Sequence, residues 1–489
     1  MSSCRVSRID FIVPRCTQAC PAGIDVPRYI RAVGAGRYDE ALAVVREKIP
    51  LPTVCADACF APCEDACAYR QYGDPIAIRA LKRVAVDKGS DTWLKKKKKS
   101  APTGKTVAVI GAGPAGLSAA YYLATLGHAV TIIDAFPEPG GTMRFGIPKY
   151  RLPEDRLSRD INTILELGVT FKGNLQVGKD VSFESIRKEY DAVFIATGAN
   201  SSIRIPFEGS EKEGVLWGWD FLRDVALGKK VGVGSRVVVV GGGNAALDVA
   251  LTAKRLGAKS VSITSRKRKE DMFAHPREIE VAEEEGITIH NEWAPKKVLG
   301  SEKVTGLGLI RCTSVYDAAA CNYNPIADEE ITHRIEADTI ILAVGQRPDL
   351  GFLTADGANL KIQRNLICAN EGDLSTTEHG VFAGGDVVVG PSSIIVGIAH
   401  GRQAAQAIDI YLGGSGDLTE QLAEPEESVE LQEMSVAVGC AAPRRDLPHL
   451  TTWRRVLGFD QIELPMSDDQ ARTEAARCLN CDARKFQVS

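Results

Sequence analysis

Cys16 and Cys20 stand near the start of the chain, and Cys55, Cys59, Cys63 and Cys67 follow in C-x3-C steps. Cys478-Leu479-Asn480-Cys481 lies far from them, close to residue 489. Soft thiolates packed this densely suit iron–sulfur centres, because each cubane takes about four such ligands, so these eight would serve two. The same spacing also suits a tetrahedral structural zinc site. Between the two cysteine groups lie two glycine-rich runs, GAGPAG (111–116) and GGGNAA (241–246). Each follows an apolar strand and opens a helix. In the first, Gly111 permits the tight turn, Gly113 lets backbone approach a pyrophosphate, and Gly116 lets helix and sheet pack closely. Asp134 ends the next strand, where a carboxylate would bond ribose hydroxyls. The second run keeps Gly241 and Gly243 and carries Ala246 in third place. Its following strand ends in Arg266, Lys267 and Arg268 where an NAD-selective site would place an acid. Cations there suit the 2′-phosphate of NADPH over NADH, although a solvated basic turn is the alternative.

Elements of known type must position these groups. The first ~90 residues lack β-α alternation; 30–49 and 76–86 have helical spacing, and Pro62 would interrupt a helix through the cysteine run. A small helical module around metal is expected. Lys95–Lys99 reads as a solvated connector, with docking of an acidic partner as the other reading. From Lys105 the pattern is α/β, with strands at 106–110, 128–134, 191–197, 235–241, 259–265, 338–344 and 380–385. Two Rossmann-like dinucleotide-binding domains follow, the first split by the second. The boundaries expected are 1–100 for the helical iron–sulfur domain and linker, and 101–210 for the first part of an FAD domain. Residues 211–345 would form an NAD(P)H domain, 346–415 the second part of the FAD domain, and 416–489 an irregular acidic tail ending in a short helix that carries Cys478 and Cys481.

The length is that of about three domains. A net charge of −4 with 25% charged residues marks neither a nucleic-acid binder nor a membrane-surface protein. No apolar run reaches the roughly 18–20 residues of a membrane span, and no signal peptide is evident, so the expected compartment is the cytoplasm. Clustered thiols then bind metal more readily than they pair with each other. Cys4, Cys312, Cys321, Cys368 and Cys440 are expected as ordinary buried thiols. The seven histidines stand singly and are read as structural.

The segments at 109–153, 192–199, 264–272, 343–349 and 381–405 together resemble one flavoprotein family. It comprises the small subunit of NADPH-dependent glutamate synthase, the N-terminal half of dihydropyrimidine dehydrogenase, and the large subunit of NADH-dependent ferredoxin:NADP oxidoreductase. The resemblance runs from CTQACPAG (16–23) to EAARCLNCD (474–482). It implies FAD on Gly111, Gly113, Gly116 and Asp134, with the Gly140-Gly141 turn, Thr197-Gly198 and Gly385-Asp386 against the same flavin. It implies NADPH on Gly241, Gly243, Asn244, Arg266 and Lys267. Related disulfide reductases carry a cysteine pair after the double glycine; GTMRFGIP (141–148) has none, so electrons must leave the flavin another way, and zinc becomes the weaker reading. By the same resemblance one 4Fe–4S cluster takes Cys16, Cys67, Cys478 and Cys481. The other takes Cys20, Cys59 and Cys63. Dihydropyrimidine dehydrogenase can use a glutamine as fourth ligand at the position of Lys82, where an ammonium cannot ligate, and Cys55 is the natural replacement.

The expected function is electron transfer between NADP(H), FAD and two 4Fe–4S clusters, to or from ferredoxin or another iron–sulfur redox subunit in a hetero-oligomer. No side-chain nucleophile is needed, so no catalytic residue is expected. The alternatives are a glutamate synthase small subunit serving its large subunit, and a non-catalytic iron–sulfur binding or assembly subunit.

Overall fold

The computed structural model describes residues 13–317, 322–355, 359–426 and 442–482. Its N-terminal part is helical, with helices at Arg15–Ala19, Val26–Gly34, Tyr38–Arg46, Pro52–Ala58, Pro62–Asp65 and Ile78–Lys88. The helical spacing over 30–49 belongs to two helices, because the chain turns at Gly36, whose φ is +74°. Pro62 interrupts the cysteine run as expected: it opens its own helix after Ala61, held left-handed at φ 52°. Tyr29, Ile30, Val33, Leu42, Val45, Leu81 and Val84 are buried together, each large aliphatic contributing about 1.5–3 kcal/mol of transfer free energy. Two carboxylates key this module onto the α/β body. Asp160, on the helix Glu154–Leu165, accepts from Thr53 Oγ1 at 2.8 Å and from the Val54 amide at 3.0 Å. Asp57 pairs with Arg156 at 3.0 Å.

The body holds two five-stranded parallel sheets. The first is ordered Val381–Ala383, Ala192–Ile195, Thr106–Ile110, Ala129–Ile133, Thr170–Lys172. Its edge strand Val381–Ala383 comes from beyond the second sheet, so the first unit is split by the second. The second sheet is ordered Val215–Trp217, Thr339–Leu342, Arg236–Val240, Ser260–Ser265, Thr288–Asn291. Central strands such as TVAVI and RVVVV are apolar almost throughout because helices cover both faces. The chain leaves the first unit at Ser201–Ser202 and returns at Gln346–Arg347, and these two links pair antiparallel. In each sheet the strand before the glycine loop lies between strands reached in opposite directions. That switch point leaves a crevice at the strands' carboxyl ends, where α/β proteins bind ligands.

Three findings depart from expectation. A three-stranded antiparallel sheet, Trp293–Leu299, Gly306–Asp317 and Asn322–Glu336, extends the second unit. The basic run is solvated over most of its length but is pinned in part: Lys97 pairs with Glu420 at 3.1 Å and lies 3.7 Å over the Tyr121 ring, and Lys96 pairs with Glu424 at 2.5 Å. Lys96 and Lys97 meet the chain's own acidic segment, while Lys95, Lys98 and Lys99 stay exposed. The last helix, Asp468–Ala475, ends before the cysteines, so Cys478 and Cys481 sit in the turn after it, with Asn480 at φ 46°. Among the described residues no helix is long and apolar enough to cross a membrane. Cys312 is buried and Cys368 half-buried; Cys4, Cys321 and Cys440 lie outside the described residues.

Candidate functional site

The first glycine loop shows which glycines the protein needs and which a ligand needs. A Cβ on Gly111 would meet the Ala196 carbonyl oxygen at 2.3 Å, and one on Gly116 the Gly111 oxygen at 1.9 Å. Packing alone excludes side chains at both. Gly113 has an ordinary φ of −79° and nothing within 4 Å of its Cβ position. Neither strain nor packing asks for glycine there, but a group bound against the backbone would. Gly243 repeats this pattern in the second loop, with φ −103° and open space around it. Asp134 is half-buried, and that desolvation raises its carboxyl pKa against the two backbone bonds it accepts, from Ala112 at 2.6 Å and Phe136 at 2.8 Å. It therefore ties the glycine loop to the next strand and keeps further lone pairs for a ribose.

Gly141 presses on the same loop, its Cβ position lying 2.7 Å from the Gly113 Cα, and the Gly140 amide donates to the Ala112 carbonyl at 2.9 Å. Thr197 Oγ1 is buried without a hydrogen-bond partner beside open-faced Gly198. The Gly385-Asp386 turn is held by His400, whose Nδ1 accepts the Gly385 amide at 3.0 Å. Burial lowers the His400 pKa, consistent with a neutral ring accepting at Nδ1. Asp386 turns aside to Ser392, accepting from its hydroxyl at 2.7 Å.

In the second loop Asn244 opens the helix Asn244–Arg255, and its Oδ1 accepts the His275 amide at 2.9 Å. Arg268 and Lys269 are held by Asp271 and Glu283 at 2.8 and 2.6 Å. Arg266 is exposed and, among the described residues, has no ion-pair partner. The Lys267 ammonium lies 3.2 Å over the Phe273 ring, and burial with the neighbouring Arg266 lowers its pKa. Of the basic triplet, then, Arg266 and Lys267 face the loop.

Both loops open onto one cavity of about 1240 Å³. Gly111, Gly113, Asp134, Gly141, Thr197, Gly198, Gly385 and Asp386 line it on one side. Gly241, Gly243, Asn244, Arg266 and Lys267 line it on the other. Residues that sequence reading missed also reach it. Trp219 does so with its indole N–H buried and unpartnered, and Arg151 does so while pairing with Asp248 at 2.8 Å. Ala58 and Phe60, from the cysteine module, form part of its wall, and Phe60 stacks on His275 with ring centroids 6.1 Å apart. Only the clustering of aromatic and charged residues at 217–220 and 271–278 could have hinted at these.

The eight cysteines form two groups. Cys16, Cys67, Cys478 and Cys481 line one small cavity with Ile30, Tyr69 and Ile78. Burial and the other thiols of the group push Cys16 up to about 12; burial does the same to Cys478, against a backbone bond at Asn480. Cys20, Cys55, Cys59 and Cys63 are buried. Burial first, then the neighbouring thiols Cys59 and Cys20, raises Cys55 and Cys63 well above the ordinary thiol range. The Ala61 amide donates to Cys59 Sγ at 3.4 Å. Among the described residues no three His, Cys, Asp or Glu side chains converge as the ligands of a single ion would. Two all-sulfur sets of four are the donor sets that cubane clusters use.

Two parallel sheets with glycine loops facing one cavity, joined to a cysteine-rich helical module, define a nucleotide-dependent oxidoreductase with a metal-cluster domain. The pyridine nucleotide-disulphide oxidoreductase model matches residues 105–401, and the chain belongs to that family of FAD- and NAD(P)-dependent enzymes. Residues 9–93 match the 4Fe-4S cluster domain described as domain II of dihydropyrimidine dehydrogenase. The NADP(+)-dependent formate dehydrogenase subunit beta of Moorella thermoacetica is 36% identical over 502 residues, covering 96% of this chain and 71% of that one. The glutamate synthase [NADPH] small chain of Escherichia coli is 32% identical over 420 residues, covering 82% and 89%. Among solved structures, Mycobacterium tuberculosis FprA in complex with NADPH shares the fold, with a TM-score of 0.54 at 20% identity over 64% of this chain and 85% of that one. The family resemblance drawn from the motifs therefore holds.

Proposed function

We propose that this chain is the NADPH-linked subunit of a larger redox assembly, moving electrons between NADP(H), FAD and two 4Fe–4S clusters. Its partner on this reading is a ferredoxin or another iron–sulfur subunit. The observation that carries it is a shared wall: the cavity faced by both glycine loops is bounded by Ala58 and Phe60, the residues on either side of Cys59. FAD bound in this cavity supplies the conversion between two-electron nicotinamide chemistry and the single electrons that iron–sulfur centres carry. The chain's own residues bind and orient. Gly113 and Gly243 admit pyrophosphates to the backbone, Thr197 Oγ1 and the Trp219 indole N–H offer unused hydrogen bonds, and Arg266 with Lys267 receives the 2′-phosphate. Positioning of this kind needs no side-chain nucleophile. The relatives' names support both NADP and a place in a complex, since they are NADP-linked subunits.

The test is anaerobic. Protein with about eight iron and eight sulfide per chain is mixed with NADPH. Bleaching of the flavin followed by a reduced-cluster EPR signal is the expected result; zinc without sulfide, or a bleached flavin with no cluster signal, would overturn the reading. Arg266→Ala should raise the KM for NADPH about tenfold, the loss of one charge-assisted phosphate contact, and leave that for NADH unchanged.

A further inference from the structure

The two nucleotide units are joined by more than the chain that runs between them. Their covalent links, Ser201–Ser202 and Gln346–Arg347, lie side by side as one short antiparallel pair. A pair so short is a natural hinge, since a few element-terminal residues can absorb the rotation of one unit against the other. Residues 146–151 of the first unit reach past it into the second. Trp219 presses on Gly146, where a Cβ would meet the indole ring at 2.7 Å. Tyr150 is 1% exposed and belongs to the second unit's apolar cluster, with Leu247, Leu251 and Ile279. The Arg255 guanidinium, itself paired with Glu285 at 2.7 Å, lies 4.0 Å over the Tyr150 ring. Arg151 Nη1 donates to both oxygens of Asp248, at 2.9 and 2.8 Å, and its Nη2 lies 3.4 Å from Glu278. Asp248 stands one turn into the helix that opens at Asn244 in the second glycine loop. Arg151 also meets the cysteine module, its guanidinium 5.9 Å from the Phe60 ring. The tail closes over the plug, where the Ile462 amide donates to the Tyr150 carbonyl at 3.0 Å.

We propose that Tyr150-Arg151 is a lock between the units: it holds the second glycine loop opposite the first, so that a dinucleotide seated on the second unit meets the first in the arrangement seen here, with no rotation between them. Arg151 is the positioning residue of that lock. The inference rests on the reading of the second loop as the NADP(H) site. A dinucleotide that spans both units binds only where the two loops stand at the right separation and angle. With the hinge free, fixing that geometry would cost binding energy each time; with the lock in place the cost is met during folding. An ion pair suits this task better than apolar contact alone, because a guanidinium shared between Asp248 and Glu278 fixes direction as well as distance. Asp248 is also nearly buried, so parting it from its cation is strongly unfavourable. The aromatic neighbour divides the labour: Tyr150 supplies apolar burial in the second unit, and Arg151 supplies orientation at the cavity wall.

The experiment measures equilibrium binding of NADP+ and of 2′,5′-ADP, which carries the adenylyl half alone, to the anaerobically purified full chain. Wild type is compared with Arg151→Met, Arg151→Lys and Tyr150→Leu. Tyr150 is not among the residues that line the cavity, so Tyr150→Leu loosens the lock without removing a group that a ligand there could touch. Arg151→Met and Tyr150→Leu should each weaken NADP+ about tenfold, the result of the locked arrangement falling to about a tenth of the population. Both should bind 2′,5′-ADP within about twofold of wild type, because the second unit holds that half unaided. Arg151→Lys should fall between wild type and Arg151→Met. Equal losses for the two ligands, or no loss for NADP+, would overturn the proposal. So would a loss in Arg151→Met that Tyr150→Leu does not share, since Arg151 would then be a direct ligand contact and no lock. Should Arg151→Met fail to fold with Asp248 left uncompensated, Arg151→Met/Asp248→Asn takes its place, with both charges removed. A wild type that does not bind 2′,5′-ADP would remove the underlying NADP(H) reading before any variant is compared.

Discussion

The two cysteine groups differ in how the chain closes them. Cys20, Cys55, Cys59 and Cys63 come from one stretch of about 45 residues, are all buried, and sit inside a helical module with its own apolar contacts. Cys16, Cys67, Cys478 and Cys481 are half-exposed and draw two ligands from each end of the chain. On the proposed assignment, one site would fold with its module and the other would exist only while the tail is docked. Local closure pays a small loop entropy, whereas the second group depends on contacts made across some 400 residues of sequence. Those contacts combine apolar burial, in which Leu447, Met466, Ala471, Ala475 and Leu479 join the module's core, with buried polar bonds. Glu474 is fully buried and accepts from the Ala77 amide at 2.8 Å, the Arg445 amide at 2.7 Å and Arg477 at 2.6 Å. Arg444 bonds Glu64 at 2.6 Å, and Gly34 leaves room for Ala475, whose Cβ lies 3.3 Å from where a Gly34 side chain would begin.

The largest effects should come from the ligands themselves. Cys55→Ala and Cys478→Ser should each lower iron and sulfide by about half, and the double variant should retain almost none. The comparison breaks if either single variant empties both sites, or if Cys55→Ala loses neither. Next is the buried clamp. Glu474→Gln leaves Arg477, 4% exposed, without its charge partner, a change that typically costs about 3–5 kcal/mol. Thermal unfolding should shift down by several degrees, and chelator should strip half of the iron faster than the rest. Equal acceleration of all the iron would mean the tail serves both groups alike.

Some of this was legible in the sequence and some was not. The glycine loops, their strands and the split first unit were readable because each signal is local: a tight turn needs Gly111 whatever surrounds it. A 4Fe-4S domain was readable from the cysteine spacing and is matched over residues 9–93, while the division of the cysteines came from the family resemblance and stays a proposal. Phe60 and Trp219 were not readable, because what places them on the cavity is packing between segments distant in sequence, Phe60 against His275 and Trp219 against Gly146. The antiparallel extension was missed because Asn322–Glu336 carries the charged run DEEITHRIE, largely exposed and without clean alternation. The pinning of Lys96 and Lys97 within the solvated run was not legible because their acidic partners, Glu424 and Glu420, lie over 300 residues away in sequence.

Acidity should probe the tail's second grip. Glu463 pairs with Arg79 and lies 3.6 Å from Arg83. Burial opposes its charge, but Arg79 and Arg83 outweigh it and hold its pKa down at about 2 against an ordinary 4.5. The unfolded chain therefore takes up this proton first as pH falls. The stabilisation, about 3 kcal/mol for such a shift, is complete above pH ~4.5 and is lost as pH drops toward ~2. In urea unfolding, the advantage of wild type over Glu463→Gln should be flat from about pH 7 to 5 and begin to close by about pH 4. A gap that already changes between pH 7 and 5 would assign the effect to another group.

The smallest effect belongs to the outermost contact, and it sharpens the comparison because it touches one group alone. Asp482 is partly exposed and bonds Arg31 through two oxygens, each at 2.8 Å, one residue beyond Cys481. Partly exposed ion pairs are worth about 1 kcal/mol or less, and Arg31 keeps Glu426 in Asp482→Asn. The variant should therefore fold and load both clusters normally. Its one signature should be a modestly faster chelator loss of the tail-closed cluster, about two- to fivefold by that energy, with the buried group unaffected. High salt should produce the same acceleration in wild type and add little in the variant, since screening and substitution remove the same attraction. If salt accelerates both equally, the exposed pair contributes nothing to closing the second site.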